Sequence, residues 1–221
     1  MPAVLSTKLL SPAQKNLLLN ANLSLTEYNA IKTEALEIPD SVSEKEYPNA
    51  IITSQTTVDF IQSYKLGRCF CVGQKTAKKL QSLGFDVEQV ADNAKALASS
   101  ILENYSELTF TYFGSLKRRP ELSKTLKQSN IRLDEVFMYD THKVPKSFHR
   151  SFDAVLLFSP SGVESYFEAN PSSKSKLICI GPTTLASAKD YSKNAFMSNT
   201  TSVESVIVKA VNLLKPKNPA V

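Results

Sequence analysis

Two hundred and twenty-one residues suffice for one large domain or two of about a hundred each, since domains cluster near ~100–150 residues. A hydrophobic fraction of 42% supports a core, yet no apolar run reaches the roughly 18–20 residues that span a bilayer. Twenty-six basic against 21 acidic residues give a mild net charge of +5, scattered apart from short clusters at Lys78-Lys79 and Lys117-Arg118-Arg119. A nucleic-acid binder gathers such charge on one face or helix, so this excess reads as a solvated surface with some attraction for an anionic ligand. Met1–Lys8 lacks the basic segment and long apolar stretch of a secretory signal. Cys69, Cys71 and Cys179 lie in apolar, strand-like runs, as reduced core thiols of a cytoplasmic protein do. With no CxxC and two histidines, a structural zinc site is not expected.

In chain order, Ala3–Thr7 reads as a strand, and Ser11-Pro12-Ala13-Gln14 as a helix start with a serine cap, an N1 proline and a capping-box glutamine. The next strand is expected at Asn29–Lys32, followed by a polar linker over 38–45. Then come a strand at Ala50–Thr53, a helix at Thr56–Tyr64, a strand at Arg68–Val72, and a helix at Lys75–Leu83 that Gly84 stops. Asn93 caps a helix running to Asn104. Leu108–Phe113 is a strand, Glu121–Gln128 a helix and Asp134–Tyr139 a strand, with a second polar connection over Asp140–Lys146. The rhythm resumes with a strand at Ala154–Phe158, a helix from Gly162, a strand at Leu177–Ile180, a helix at Thr184–Tyr191, and a last helix from Thr201 with a capping box at Glu204. Alternating strands and helices predict an α/β architecture with a mainly parallel sheet.

Two stretches match each other. Ala50–Val58 aligns with Val155–Val163, each an apolar strand, then a serine, then small residues and a valine opening a helix. About twenty residues later Val72–Ala77 aligns with Ile180–Leu185. The order holds across four elements and predicts two similar α/β halves.

The matched motifs set hydroxyls and free backbone N–H groups where a strand's C-terminal end meets a helix N-terminus, the position at which open α/β sheets bind ligands and at which anions are favoured. In Gly73-x-x-Thr76 and Gly181-x-x-Thr184 the glycine permits a sharp turn and the threonine adds a hydroxyl. Neither a phosphate loop nor GxGxxG is present, which argues against nucleotide hydrolysis and dinucleotide binding. Phe113-Gly114-Ser115-Leu116-Lys117-Arg118-Arg119 is a third such junction, either a turn followed by exposed cations or a carboxylate clamp. Tyr139 ends a strand, either as amphipathic packing or as a hydrogen-bond donor to a ligand. His142 and His149 have no nucleophile signature nearby, so a hydrolase triad is not expected.

In order along nearly the whole chain stand Ile52-Thr53-Ser54-x-x-x-Val58, Val72-Gly73-x-x-Thr76-Ala77-x-x-Leu80 with Gly84, Phe113-Gly114-x-x-x-Arg118 with Leu122, Val136-x-x-Tyr139-x-Thr141, Phe158-Ser159-Pro160-Ser161-Gly162-Val163 and Ile180-Gly181-Pro182-Thr183-Thr184. Together they resemble the uroporphyrinogen-III synthase family; Lys8 stands where many members have arginine, and Gln55 replaces a smaller residue. The resemblance implies two parallel-sheet, flavodoxin-like lobes joined by two extended linkers with a cleft between them. The first lobe would comprise 1–35 plus 146–221, the second 36–145, and the polar connections read above fall where that topology requires linkers.

It also implies a cofactor-independent, monomeric lyase of tetrapyrrole biosynthesis, with no metal. Its substrate would be hydroxymethylbilane, a linear tetrapyrrole carrying eight carboxylates. Tyr139 is the implied catalytic residue. Substrate binding falls to Lys8, Thr53, Ser54, Gly73, Thr76, Gly114, Ser115, Arg118, Ser159, Ser161, Gly162, Thr183 and Thr184. A non-catalytic two-lobed binder of anionic small molecules would share these features, and a nucleic-acid binder is the third reading. Only the enzyme diverts hydroxymethylbilane to the type III product, and only the third would show steeply salt-dependent retention on DNA.

Overall fold

The computed structural model describes residues 1–117 and 120–215. These fold as two compact units, Met1–Lys32 together with the chain from His142 onward, and Thr33–Thr141.

The first unit is built on a sheet of β1 (Ala3–Ser6), β2 (Ser24–Glu27), β9 (Ala154–Leu157), β10 (Lys176–Cys179) and β11 (Ala195–Met197) in the order β11-β10-β9-β1-β2, with every neighbouring pair parallel. The strands AVLS and AVLL are buried throughout, because helices cover both faces. On one face α1 (Pro12–Leu19) and α9 (Val203–Leu214) bury Leu18, Val206, Ile207 and Ala210 against Val4, Leu156 and Ile178. On the other, α7 (Pro160–Ala169) and α8 (Pro182–Lys189) bury Val163, Tyr166, Phe167 and Ala188 against Leu5, Val155 and Leu157.

The second unit repeats the plan with β3 (Ile31–Ala35), β4 (Glu46–Ile52), β5 (Lys65–Val72), β6 (Asp86–Ala91), β7 (Phe110–Ser115) and β8 (Leu133–Lys143) in the order β3-β8-β7-β4-β5-β6. The pairs β4–β5, β4–β7, β5–β6 and β7–β8 are parallel. Here α3 (Gln55–Phe60) and α4 (Gln74–Ser82) cover one face through Val58, Ala77 and Leu80. The other face is covered by α5 (Ala94–Asn104) and α6 (Glu121–Gln128) through Leu97, Ile101, Leu122 and Leu126. The order of β4 to β8 differs from that of the first unit: the chain steps outward from β4 through β5 to β6 before crossing to β7, whereas in the first unit only β2 precedes the crossing to β9.

Local signals hold at the helix ends. Ser11 and Gln14 form the expected capping box, Asn93 caps α5 by accepting from the Ala96 amide, and Gly84 (φ +84°) ends α4. The last helix is capped by Ser202 rather than Thr201, with the Ser205 amide donating to its hydroxyl. The strand expected at Asn29–Lys32 is β3, which runs over Ile31–Ala35, and β2, β6 and β11 appear where no strand was expected. The polar stretches are not free chain: 38–45 holds α2 (Asp40–Ser43), and β8 extends through Lys143 beside β3. The Leu36 amide donates to the Met138 carbonyl at 3.0 Å and the Val144 amide to the Ala30 carbonyl at 2.8 Å.

The three cysteines are free and buried, and burial pushes their thiols up from 9.0, to about 12 for Cys69 and Cys179 and to about 11 for Cys71. In the unfolded chain they ionise near pH 9, so their contribution to stability is whole below pH 9 and is lost as pH rises toward 11–12. Urea midpoints should fall through that window, and Cys69→Ser, Cys71→Ser and Cys179→Ser should each flatten the fall even where they lower stability at neutral pH. Gly73 (φ +83°) and Gly84 both occupy the left-handed region, with nothing within 4 Å of where a Cβ would stand. Gly73→Ala and Gly84→Ala should therefore each cost about 1–2 kcal/mol through backbone strain alone, read from urea unfolding.

Candidate functional site

Parallel strands bring their C-terminal ends to one edge, and the register states which residues meet there. In the second unit Ile52 pairs with Phe113 on one side and Cys71 on the other, so Thr53 is flanked by Gly114 and Val72. Ser115 pairs with Tyr139 after an irregularity at Gly114, and the Leu116 amide donates to the Tyr139 carbonyl at 2.8 Å. Tyr139, Ser115, Thr53 and Gly73 thus follow one another along a single edge. In the first unit the C-terminal edge of its own sheet carries Thr7-Lys8 after β1, Ser159-Ser161-Gly162 after β9 and Gly181-Thr183-Thr184 after β10. Chain direction across each sheet reverses at β1/β9 and at β4/β7, and at such reversals crevices open beyond the strand ends.

Ser54 and Ser159, aligned by the internal repeat, are both N-caps. Ser54 accepts from the Thr56 amide at 3.1 Å and Ser159 from the Gly162 amide at 3.0 Å, and each hydroxyl keeps its proton to donate. Gly73 and Gly181, likewise aligned, are the N-caps of α4 and α8, and neither helix has a side-chain cap. The first-turn amides of α4 and α8 are therefore the better anion donors.

The two glycines serve different ends. Gly73 needs its positive φ, whereas Gly181 is extended (φ −166°), so the sharp turn expected there is absent. What Gly181 provides is room: a Cβ would come within 3.3 Å of the Thr201 methyl. Thr76 and Thr184, expected to present hydroxyls, are only 4% and 2% exposed, and the open positions of these turns are Gln74, Lys75, Pro182 and Thr183. Gly162 is buried, with its missing Cβ leaving space for the Ser159 hydroxyl at 3.1 Å. Lys8 is exposed, on a turn set by the Ser6 hydroxyl donating to the Lys8 carbonyl at 2.6 Å. Ser161 is half-buried.

Tyr139 is 6% exposed, stacked on Phe60 with ring centroids 5.0 Å apart, and its hydroxyl lies 3.5 Å from that of the buried Thr57. Ser115 accepts from the Lys117 amide at 3.2 Å. The Lys117 ammonium meets the Thr141 carbonyl at 3.1 Å and the Asp140 carboxylate at 3.2 Å, which commits one member of the basic cluster. Arg118 and Arg119 lie outside the described residues.

Sequence reasoning missed Tyr112. Its hydroxyl lies 3.0 Å from that of Thr53, joining β7 to β4, and its ring crosses over Gly114. A Cβ on Gly114 would come within 2.5 Å of that ring, so Gly114 is glycine to admit a neighbour's side chain. The available signal was the spacing of Tyr112 and Gly114, two apart and so on one face of a strand.

A cavity of about 690 Å³ in the first unit lies at the opposite ends of the strands, by Asp153 and Lys176, and holds none of the candidate residues. Among the described residues no cluster of three His, Cys, Asp or Glu side chains could hold a metal ion, and no helix is long and apolar enough to cross a membrane.

No curated protein matches the chain in sequence. A crystal structure of uroporphyrinogen-III synthetase from Helicobacter pylori superposes with a TM-score of 0.69 at 14% identity, covering 96% of this chain and all of that one. A mutant uroporphyrinogen III synthase from the extremely thermophilic bacterium Thermus thermophilus gives 0.70 at 16% identity, covering 96% of this chain and 98% of that one. At such identities these two show a shared α/β fold. The family model described as uroporphyrinogen-III synthase HemD matches residues 16–207, most of the sequence. The chain belongs to the uroporphyrinogen-III synthase family.

Proposed function

We propose that this chain binds carboxylates of hydroxymethylbilane at its strand-end turns and holds the substrate curled while the ring closes. The reaction belongs to heme biosynthesis and uses no cofactor. The terminal hydroxyl leaves as water, pushed by the pyrrole nitrogen, and an electron-poor azafulvene remains. Ring D attacks through its substituted carbon, forms a spiro intermediate and recloses inverted as uroporphyrinogen III. Uncatalysed closure gives the unflipped isomer, so the work of the protein is to fix the reacting ends in the productive shape.

The carrying observation is the family match over residues 16–207, in a chain whose candidate residues fall at or just beyond the C-terminal ends of strands, except Tyr139, which was expected to end a strand and instead lies within β8, opposite the end of β7. The α4 and α8 first-turn amides, with the hydroxyls of Thr53, Ser54, Ser115, Ser159, Ser161 and Thr183, supply neutral donors that accept charge without a large desolvation cost. Gly114 admits the Tyr112 ring and Gly162 the Ser159 hydroxyl; Thr76 and Thr184 are buried in the first turns of α4 and α8; Lys8 and Arg118 add positive charge. Tyr139 assists departure of the hydroxyl. A phenol is a weak acid at neutral pH, so its help is a hydrogen bond or partial proton transfer. The protein acts as a cytoplasmic monomer, a reading its three free thiols fit.

Supplying hydroxymethylbilane and resolving type I from type III porphyrin after oxidation tests the function: type III should dominate with the protein and type I without it. Tyr139→Phe should lower turnover by roughly ten- to a thousandfold, below the about 10²–10⁴ of a full general acid because the phenol transfers its proton only in part. Wild-type turnover in that variant would remove Tyr139 from the mechanism.

A further inference from the structure

We infer that Tyr112 is a positioning residue for substrate, acting through Thr53: the buried phenol donates to the Thr53 hydroxyl and thereby turns the threonine's own proton outward, toward a substrate carboxylate. This rests on the reading of the strand-end turns as the substrate site.

Three observations carry it. The two hydroxyls are 3.0 Å apart and belong to β7 and the end of β4, the pair at which the second sheet reverses direction, where ligands of open α/β sheets bind. Tyr112 is 5% exposed whereas Thr53 is half-buried, so of the two residues it is the threonine that lies nearer the surface. Gly114 leaves open the space the phenol fills, with a Cβ there coming within 2.6 Å of the hydroxyl oxygen.

A bond of two hydroxyls uses one proton and leaves one. If threonine donated inward, the edge would present only oxygen lone pairs to a carboxylate and repel it. With tyrosine donating, Thr53 presents a proton, made more acidic by the bond it accepts. Tyr112 thus fixes the sense of the pair without touching substrate.

The test measures KM and kcat for hydroxymethylbilane. Tyr112→Phe keeps the ring and removes the donor; KM should rise about fivefold, the loss expected of one hydrogen bond, with kcat within twofold. Thr53→Val should raise KM at least as much, Thr53→Ser should restore it, and Tyr112→Phe in the Thr53→Val background should add nothing. Gly114→Ala, which displaces the phenol, should reproduce the KM effect and likewise add little to Tyr112→Phe.

An unchanged KM in Tyr112→Phe beside a raised KM in Thr53→Val overturns the inference and leaves the substrate site standing. Additive effects of the two substitutions, or a fall in kcat alone, also overturn it. Unchanged KM in Thr53→Val removes Thr53 from the site and the inference with it. Absence of type III product from the unaltered protein overturns the functional reading itself.

Discussion

Two parallel strands cannot be joined by a tight turn. The chain must leave the C-terminal end of one, cross a face of the sheet and re-enter at the N-terminal end of the next. In this protein that constraint sends a helix N-terminus to the C-terminal edge of the strand's own sheet after β1, β4, β5, β6, β7, β9 and β10. Nearly every candidate residue is a consequence of it: the caps, the glycine turns and the hydroxyls occupy the turns that leave parallel strands. Amides without intrahelical partners gather there and need an acceptor, and a polycarboxylate offers many.

The internal repeat shows how far such a site can be copied. Ser54 matches Ser159 as a cap that spends its lone pair on the helix, and Gly73 matches Gly181 as a cap that spends nothing. Beneath that correspondence the physical reasons diverge. One glycine answers to a backbone angle, the other to the methyl of Thr201. Likewise the glycine of the β7 junction answers to Tyr112, which the repeat has no reason to preserve. Similar sequence at a turn therefore records a shared position on the sheet more reliably than a shared cause.

The strands that escaped notice have one thing in common. β2, β6 and β11 lie at sheet edges, as β3 does, and an edge strand has solvent on one side. Asp86–Ala91 mixes charged or polar with apolar residues, and Ser24–Glu27 carries a single large aliphatic, so neither has the apolar run that marks β1 or β9. Polar chain over 38–45 and 140–146 also looked unstructured, although α2 stands in the first stretch and β8 runs through Lys143 in the second. Central strands announce themselves by burial on both faces, and edges do not.

What the chain by itself determined is the alternation of buried strands and capped helices, the doubling of the plan, and the placing of serine, threonine and glycine at strand ends, because capping chemistry and apolar runs are local. Tertiary structure alone decided which of those groups stand open. Thr76 and Thr184 are covered by neighbours that no spacing reveals, and Tyr139 is stacked under Phe60. Thr53 meets Tyr112 only because β7 returns to lie beside β4, 59 positions separating the two hydroxyls in the chain. Burial and long-range hydrogen bonds depend on which strands become neighbours, and strand order is a property of the folded sheet.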